Sequence, residues 1–260
     1  MGELADILQS FPPISLEEMK AVKLMNRIDT KYLVSWERLP DILGRLTGHF
    51  YVQELAGRRI AHYNTLYYDT SDVQMYHVHH AGKLNRQKLR ARIYCDTGTA
   101  FCEIKTKNNK KRTKKKRVEL ELKDFGNMLE NPQMYDFVSQ RLWYNPALLV
   151  PQVENEFDRI TLVNKGKTER LTIDTNIHFT NRYTGNAAQV PHLVIIELKQ
   201  DGNVPSFFKN VLLNMRIHPY RISKYCLGTM LTNPDVKMNR FKKKLRYIER
   251  LRVNTEFIEN

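Results

Sequence analysis

Lys88-Leu89-Arg90-Ala91-Arg92-Ile93-Tyr94 and Phe101-Cys102-Glu103-Ile104-Lys105-Thr106-Lys107 are two segments that alternate charged with less polar residues. This period of two is typical of a β-strand, because successive side chains of a strand point to opposite faces of the sheet. Similar alternation returns in Arg170-Leu171-Thr172-Ile173-Asp174 and in Val194-Ile195-Ile196-Glu197-Leu198-Lys199. The pattern predicts several strands that carry cations and carboxylates on one shared surface.

Two arrangements of such strands fit this pattern. In an open sheet the apolar side packs inward and the charged side is solvated, whereas in a closed barrel the charges line a lumen and helices cover the apolar wall. The mixture of cations with a few carboxylates and the presence of several helical segments favour the lumen. We therefore expect an α+β fold around an antiparallel sheet or barrel, and the pattern alone leaves open whether the charged side is solvated or lines a lumen.

Helical segments are predicted at both ends and in the middle of the chain. Ser15 and Glu18 form a capping box at the start of the first helix, and residues 125–143 are helix-like with a break at Asn131-Pro132. A basic amphipathic helix is expected at about residues 235–252. Its apolar stripe has two possible contacts, an acidic membrane surface or the protein core, and the core is favoured. With no internal repeat or low-complexity linker, residues 1–260 are expected to form a single domain.

Composition restricts the class of partner. Lys and Arg number 42 against 28 Asp and Glu, a net charge of +14, which favours a polyanion such as nucleic acid, an acidic membrane or a phosphate compound. Three cysteines without CxxC spacing indicate neither a disulfide framework nor a zinc site. The start of the chain lacks a secretory or myristoylation signal, and no apolar run reaches membrane-spanning length, so a cytoplasmic protein is expected.

Seven short motifs occur in the order seen in VTC domains. They are Arg27-Ile28-Asp29-Thr30-Lys31-Tyr32-Leu33-Val34, Tyr67-Tyr68-Asp69-Thr70, Arg86-Gln87-Lys88-Leu89-Arg90-Ala91-Arg92-Ile93-Tyr94, Glu103-Ile104-Lys105-Thr106-Lys107, Arg170-Leu171-Thr172-Ile173-Asp174, Glu197-Leu198-Lys199 and Ile222-Ser223-Lys224-Tyr225. Over about residues 15–230 the chain resembles these polyphosphate polymerase domains of the vacuolar transporter chaperone complex and their bacterial relatives. They are a branch of the CYTH-like superfamily, the triphosphate tunnel metalloenzymes. The resemblance implies an α+β fold with an antiparallel β-barrel or tunnel that has a charged lumen and is covered by flanking helices.

Two departures from related proteins refine the resemblance. The E-x-E-x-K signature of the wider superfamily is absent, and Arg27 to Tyr32 take its place. This favours the VTC branch over adenylate cyclase or thiamine-triphosphatase relatives. The inositol-phosphate-sensing domain and the membrane helices of the eukaryotic complex are also missing, which implies a stand-alone protein of the bacterial type.

The resemblance implies roles for individual residues. The basic ones would line the tunnel and grip a phosphate chain, while a carboxylate would bind a metal. Catalytic roles are implied for Arg90, Arg92, Lys105 and Lys224, substrate binding for Lys31, Lys115, Arg159, Arg170 and Ser223, and Mn²⁺ or Mg²⁺ binding for Glu197. Lys114, Lys115 and Lys116 are consecutive, so only the alternation of side chains along the strand distinguishes Lys115 from its two neighbours.

The function implied is a metal-dependent polyphosphate polymerase, which passes the γ-phosphate of ATP to a growing polyphosphate chain. Two alternatives stay open: a hydrolase of inorganic or nucleoside triphosphate, and a non-catalytic module that binds polyphosphate or another polyanion. Nucleic acid is the disfavoured partner, because the charges alternate with apolar residues on separate strands and do not form one basic surface. Peripheral membrane association through another protein also stays open, as does the oligomeric state.

Three other motifs have simpler interpretations. His77, His79 and His80 lack a distant partner of definite spacing, so a zinc site is disfavoured. Asp69 and Asp72 are typical of turn residues that accept backbone hydrogen bonds. Residues 110–117 resemble a nucleic-acid patch, but a hairpin loop followed by a solvated strand face explains most of that basic run.

Overall fold

The computed structural model describes residues 2–21, 27–110, 112–202 and 204–253. These residues form eleven strands: β1 (Pro13–Ile14), β2 (Arg27–Ser35), β3 (Phe50–Gln53), β4 (Ala61–Thr70), β5 (Arg86–Tyr94), β6 (Thr99–Lys107), β7 (Thr113–Leu120), β8 (Leu149–Asn164), β9 (Glu169–Asn181), β10 (Ala187–Val190) and β11 (Leu193–Asp201). They also form eight α-helices: α1 (Gly2–Gln9), α2 (Leu16–Ala21), α3 (Leu39–Leu46), α4 (Gln74–His80), α5 (Pro132–Ser139), α6 (Phe207–Asn214), α7 (Lys224–Thr232) and α8 (Lys242–Val253).

All eleven strands belong to one sheet. Its main path runs β2-β11-β9-β8-β4-β5-β6-β7, and every neighbouring pair on that path is antiparallel. β10 pairs with β9, and β3 pairs with both β8 and β1, the β1–β3 pair being parallel. The predicted α+β fold with a large antiparallel sheet and flanking helices is confirmed.

The sheet is strongly curled. Lys105 on β6 lies close enough to Glu197 on β11 for that carboxylate to influence its pKa. Five strand spacings separate β6 from β11 along the sheet, so a flat sheet would hold these strands about 24 Å apart. The curl therefore produces a concave face on which distant strands approach each other.

The sheet differs from the predicted barrel in one respect, because it is not closed. In the part of the chain that the structure describes, no ladder of hydrogen bonds joins β7 to β2, the two ends of the main path. Most residues of β7 are exposed, and its sequence of Lys114, Lys115, Lys116 and Arg117 does not offer an apolar face to another strand. The result is an open, curled sheet with a charged concave face.

The convex side of the sheet is covered by helices in two places. Helices α1, α3 and α6 pack on β2, β3, β8, β9 and β11 through residues such as Leu43, Phe208 and Ile196. Helix α5 packs on β4, β5 and β6 through residues such as Val138 and Cys102. These contacts bury the apolar side of the alternating strands, so that the charged side is left facing inward.

Helix α7 packs against β8 and β9 in another core cluster, which also contains residues of β2, β4, β11 and α8. Gly228 permits a very close approach of this helix, because a Cβ atom at this position would lie 2.5 Å from Phe179 and 2.7 Å from Val153. The close packing fixes the amino-terminal end of α7 next to the charged concave face.

Several local predictions can be compared with the structure. The Ser15 amide donates to Glu18 at 3.0 Å and the Glu18 amide donates to Ser15 Oγ at 3.2 Å, which confirms the capping box. The later part of that predicted helix, with Val22 and Met25, lies outside the described residues. Asn131 caps α5 through the amides of Gln133 and Met134 at the predicted break. None of the described helices is long and apolar enough to cross a membrane.

The predicted carboxyl-terminal helix begins later than expected. A loop and a 3-10 turn at Asn239–Phe241 precede α8, which starts at Lys242. Phe241 and Ile248 are buried in the core, with Leu245 packed against them, so the apolar stripe faces the core as favoured. The sequence patterns did not reveal α1 and α4 or the short strands β1, β3 and β10.

Candidate functional site

The concave face carries a dense group of charged side chains, which we call the cationic cage. Strand phase places its strand residues inward, opposite the apolar residues of the same strands, and Lys224 of α7 joins them through Asp174. Its cations are Lys31, Lys88, Arg90, Arg92, Lys105, Lys115, Arg159, Lys199 and Lys224, and its carboxylates are Glu103, Asp174 and Glu197. With nine cations against three carboxylates, the cage has a net charge of about +6 if all are ionised.

Asp174 joins three elements at the centre of the cage. It accepts two hydrogen bonds from Arg159, at 2.6 Å from Nε and 2.8 Å from Nη2, and a further one from Lys224 of α7. Burial raises the pKa of Asp174, but Arg159 and Lys224 outweigh that effect and hold the pKa well below its ordinary value. The carboxylate therefore remains ionised and orients both cations.

Glu103 has the same role on the other side of the cage. It is fully buried, and its Oε2 accepts from Arg90 Nε at 2.8 Å and from Arg90 Nη2 at 2.5 Å. Lys115 of β7 donates to its other oxygen at 2.9 Å. Burial raises the pKa of Glu103, but Arg90, Arg92 and Lys115 lower it far more, so this carboxylate is ionised as well.

Glu197 is the most accessible of the three cage carboxylates, with its side chain 19% exposed. Its oxygens lie 3.7 Å from Lys31 Nζ and 3.3 Å from Lys199 Nζ. Burial raises its pKa, and these two lysines together with Arg159 and Lys105 lower it well below the ordinary value. Its contacts are longer than those of Asp174, so it is the carboxylate with most freedom to bind another group.

The amino terminus of α7 contributes to the cage from outside the sheet. Ser223 caps this helix by accepting from the Cys226 amide at 3.4 Å, and its hydroxyl also accepts from Lys88 Nζ at 2.6 Å. Ser223 and Lys88 therefore join α7 to β5. Lys224, the next residue, lies 3.5 Å from the centre of the Phe157 ring.

Three cations of the cage have no carboxylate partner in the part of the chain that the structure describes. Among those residues, no carboxylate oxygen lies within 4 Å of the side-chain nitrogens of Lys88, Arg92 or Lys105. Arg92 donates to the hydroxyl of Thr65 at 3.0 Å and is only 7% exposed, while Lys88 and Lys105 are half-buried. Burying unpaired charge is costly unless a ligand supplies the opposite charge, so these three residues indicate an anion site.

The pKa values of these cations reflect their mutual repulsion. Arg90 is the largest influence that lowers the pKa of Lys105, followed by burial and then by Arg92, and the resulting pKa is well below its ordinary value. Burial, Arg90 and Arg159 lower the pKa of Arg92 to about 10. A bound anion would offset this repulsion and raise the pKa of Lys105 again.

Tyr67 lies in the positive potential of the same cations. Burial alone would raise the pKa of its phenol, yet Arg90, Arg92 and Lys88 lower the pKa below its ordinary value. At this position the cations of the cage therefore outweigh the effect of burial.

Aromatic rings support the cations of the cage. The guanidinium of Arg159 lies 5.0 Å from the ring centre of Tyr63 and 5.1 Å from that of Phe157, and Arg92 lies near the same two rings. Cation–π contacts of this kind offset part of the cost of burying the guanidinium groups. The rings thus hold the cations in place without neutralising them.

Comparison with a family model decides where this chain belongs. The model of the VTC domain matches residues 26–233, which is most of the chain. The chain is a member of the VTC domain family. This result confirms the resemblance expected from the seven motifs. No curated protein sequence matches the chain.

Solved structures share the fold of this VTC domain. A proposed adenylate cyclase from Bacillus halodurans is 16% identical, with a TM-score of 0.52 over 84% of this chain and 100% of that protein. HpAC1 from Hippeastrum, a proposed adenylyl cyclase with a dominant triphosphatase activity, is 14% identical, with a TM-score of 0.50 over 79% of this chain and 96% of that protein. At these identities the likeness extends to the fold alone.

The structure brings nearly all the sequence-predicted site residues of this VTC domain together. The predicted residues that line the cage or its edge are Lys31, Arg90, Arg92, Lys105, Lys115, Arg159, Glu197, Ser223 and Lys224. Arg170 lies near the start of β9, at the border of the cage. Its neighbour on the adjacent strand is Lys199 of β11. Lys115 has the inward phase of the three consecutive lysines, since its cross-strand partner is Lys105.

Four residues of the cage were not singled out from the sequence. They are Glu103, Asp174, Lys88 and Lys199. All four belong to the motifs that carried the family resemblance, but no catalytic, substrate-binding or metal-binding role was assigned to them. Strand phase does contain a signal for two of them, because Lys88 alternates with Arg90, and Glu103 alternates with Lys105. The role of Asp174 depends on its pairing with Arg159, which becomes visible only when β8 and β9 are aligned.

Two of the three other motifs, Asp69 and the histidines of α4, have structural contacts. Asp69 is buried and accepts from the amides of Thr70, Met75 and Tyr76, so it organises the turn before α4 as predicted. The three histidines of α4 do not converge on one point. His79 Nδ1 lies 3.0 Å from Cys226 Sγ, while His80 Nε2 accepts from the amide of Arg240.

The residues of the cage fit a divalent cation only in part. In the described parts of the chain, no group of three or more His, Cys, Asp and Glu side chains has a metal-binding arrangement. Mg²⁺ and Mn²⁺ can, however, be bound by one carboxylate when phosphate oxygens of the substrate supply further ligands. Glu197 is the carboxylate whose exposure and loose ion pairs suit that role.

Proposed function

We propose that this chain is a metal-dependent polyphosphate polymerase, which transfers the γ-phosphate of ATP to the end of a growing polyphosphate chain in the cationic cage. The observation that carries the proposal is a set of cations that have no carboxylate partner among the described residues: Arg92, which is buried, and Lys88 and Lys105, which are half-buried. They lie among other cations on the inner face of a curled sheet. Such a cage suits a narrow, linear and highly charged anion.

The composition of the cage favours phosphate over other anions. Guanidinium groups form paired hydrogen bonds to phosphate oxygens, and ammonium groups add mobile point charges. Asp174 and Glu103 orient Arg159 and Arg90 through short hydrogen bonds before any ligand arrives. Because these groups are held in advance, little reorganisation is needed when charge develops during transfer.

Catalysis of this reaction depends on positioning and on charge neutralisation. Donor and acceptor are both polyanions, so their repulsion is the main obstacle to transfer, and cations that hold both chains in line reduce it. In this proposal the phosphates around the point of transfer are held by Arg90, Arg92, Lys105 and Lys224. Adjoining phosphates are held by Lys31, Lys115, Arg159, Arg170 and Ser223. A divalent cation held by Glu197 would neutralise further charge on the phosphate oxygens.

The ionisation of the cage favours phosphate over water as the acceptor. Glu103, Asp174 and Glu197 are all held ionised by neighbouring cations, with pKa values well below the ordinary range. Carboxylates of such low basicity are poor general bases for activating a water molecule. The terminal phosphate of a polyphosphate chain is already an anion and needs no such base.

Hydrolysis of triphosphate is the second candidate. It is favoured by the likeness to HpAC1, in which a triphosphatase activity is dominant, and it would use the same cage. Recognition of nucleic acid is disfavoured, because Arg92 is buried and Lys88 and Lys105 are half-buried on the concave face. Tyr63 and Phe157 are buried in contact with Arg92 and are not exposed as platforms for stacking bases.

One assay separates the candidates. The purified protein is incubated with ATP and Mn²⁺, and the products are resolved on a gel and by nucleotide analysis. Long phosphate chains together with ADP support the polymerase, whereas orthophosphate without chains supports the hydrolase. Unchanged ATP together with tight binding of polyphosphate supports a non-catalytic binding module.

A further inference from the structure

The start of α7 directs two side chains towards the cage. Ser223 Oγ accepts a hydrogen bond from Lys88 Nζ at 2.6 Å, and Lys224 donates to Asp174. Lys224 is in an unfavourable place for a cation, because the amino end of a helix dipole is positive and Arg159 binds the same carboxylate. The position of Lys224 therefore depends on contacts that hold the helix itself.

Tyr225, the next residue, ties α7 to β4. Its hydroxyl donates to Asp69 near the end of that strand, and its ring centre lies 5.1 Å from that of Tyr67. Lys88 Nζ lies 6.0 Å from the centre of the same ring. Because Tyr225 is only 2% exposed, it does not reach a ligand in the cage. Any influence of Tyr225 on phosphate must therefore act through the residues that line the cage.

Asp69 is a fixed acceptor for that hydroxyl. It is fully buried, and the backbone amides of Thr70, Met75 and Tyr76 donate to its two oxygens at 2.7 to 2.9 Å. The turn into α4 thus holds the carboxylate independently of Tyr225. A hydrogen bond to a buried carboxylate that cannot move also restricts the position of its donor, and here the donor is part of α7.

Cys226 and His79 form a second bond between α7 and α4. Burial raises the pKa of the Cys226 thiol, whereas burial and neighbouring cations lower the pKa of the His79 imidazole to about 2. Both groups are therefore neutral near pH 7, and they share a hydrogen bond across 3.0 Å. A neutral thiol is a poor nucleophile, so the pair suits anchoring of the helix and not covalent catalysis.

We propose that Tyr225 is a positioning residue for the reaction in the cage: its bond to Asp69, supported by Cys226 and His79, sets where Lys224 meets the phosphates. This proposal rests on the proposed function, because it assumes that Lys224 contacts phosphate. Asp69 and Tyr225 belong to two of the seven motifs that carried the family resemblance. Their bond gives these two motifs a shared role, although they are far apart in the chain.

The test measures the affinity for tripolyphosphate at low salt, together with thermal unfolding. Tyr225→Phe removes only the hydroxyl, and we expect the affinity to weaken about fivefold. In a protein that already carries Lys224→Met, the same change should alter the affinity less than about twofold, because the residue through which Tyr225 acts is absent. A double-mutant cycle of this kind separates positioning of Lys224 from a general effect on the fold.

Tyr68→Phe is the matched control. Tyr68 is 1% exposed, and its hydroxyl donates to the Gly126 carbonyl at 2.8 Å within the core under α5. Its loss should leave the affinity for tripolyphosphate within about twofold, whatever it does to the unfolding temperature. An equal loss of affinity in Tyr68→Phe and Tyr225→Phe would overturn the inference.

The possible outcomes separate the two proposals. If the wild-type protein does not bind tripolyphosphate, the proposed function and this inference both fail. If it binds tripolyphosphate but Tyr225→Phe keeps full affinity, or weakens binding equally with and without Lys224, the inference alone is wrong. Should Tyr225→Phe not fold, Cys226→Ala decides the question. A loss of affinity that Cys226→Ser restores supports the inference, and any other result contradicts it.

Discussion

Arg159 on β8 holds Asp174 on β9 through two nearly parallel hydrogen bonds of 2.6 and 2.8 Å. Asp174 also binds Lys224, the first residue of α7. One buried carboxylate thus connects two strands of the sheet to the helix that borders the cage. Breaking this connection should affect both the fold and the binding of phosphate.

Asp174→Asn is expected to destabilise the protein strongly. The change leaves Arg159 and Lys224 buried without their counter-charge, and loss of one partner of a buried ion pair costs about 3–5 kcal/mol. Urea unfolding measures this effect. Asp41→Asn is the matched control, because Asp41 forms an exposed pair with Arg45 on α3 and its loss should cost about 0.5 kcal/mol or less. Equal losses in the two variants would show that Asp174 has no special structural role.

Lys105→Met is expected to impair activity without loss of stability. Its ammonium lies beside Arg90 and Arg92, so its removal relieves repulsion in the free protein. The same change removes a contact to phosphate worth about 1–3 kcal/mol, which corresponds to about fivefold to about 160-fold in rate. Arg90→Ala should also abolish most turnover.

The matched control for Lys105→Met is Lys114→Met, a lysine on the exposed side of the neighbouring strand β7. It should leave turnover nearly unchanged. Steady-state turnover and thermal unfolding are measured on each variant. Wild-type turnover in Lys105→Met would contradict the proposed role of this residue.

Binding of tripolyphosphate is expected to be accompanied by uptake of protons. Neighbouring cations and burial lower the pKa of Lys105, and burial lowers the pKa of Lys88, whereas bound phosphate raises both values again. Calorimetry in buffers of different ionisation enthalpy measures this uptake at several pH values up to about 10, the ordinary pKa of lysine. Binding without proton uptake at any of these pH values would contradict contact between phosphate and these lysines.

Lys88 and Lys105 also make the stability of the free protein depend on pH. Because their pKa values are lower in the folded state than in the unfolded state, the unfolded chain binds more protons between the two values. Their contribution to the free energy of unfolding therefore rises with pH up to about pH 10. The slope should be smaller in Lys105→Met than in the wild-type protein.

Gly228→Ala is expected to displace α7. Alanine normally stabilises a helix interior by about 1 kcal/mol relative to glycine, but here its Cβ would lie 2.5 Å from Phe179. Overpacking of this kind typically costs about 1–3 kcal/mol, and it would shift Ser223 and Lys224 away from the cage. Thermal unfolding and turnover are both expected to decrease.

Gly44→Ala is the control for this prediction. Gly44 lies in α3, and a Cβ there would meet no atom within 4 Å. The control variant should be as stable as the wild-type protein or slightly more stable. If both alanine variants were stabilised alike, the close packing of α7 on β9 would be wrong.

The sequence predicted much of this fold, because alternation along a strand determines which side chains share a face. The phases of Arg90, Arg92 and Lys105 follow from their own strands and need no knowledge of neighbours. Whether the sheet closes depends on how β7 and β2 meet, which is a property of strands far apart in the chain. For that reason, alternation alone could not distinguish an open, curled sheet from a barrel.

The partners of the cations could not be predicted in the same way. Asp174 and Glu103 are ion-pair partners because β9 lies beside β8 and β6 beside β5, and this order is set by the whole topology. The amino terminus of α7 reaches the cage only because Gly228 lets the helix approach β8 and β9 closely. A single glycine within an apolar segment gives no signal of such a contact.

The most direct test of the cationic cage is a crystal structure of the protein with tripolyphosphate. We expect the phosphates to lie on the concave face, within hydrogen-bond distance of Arg90, Arg92, Lys105 and Arg159. Phosphate bound only on the outer lysines of β7, such as Lys114 and Lys116, or an empty cage at saturating ligand, would contradict this account.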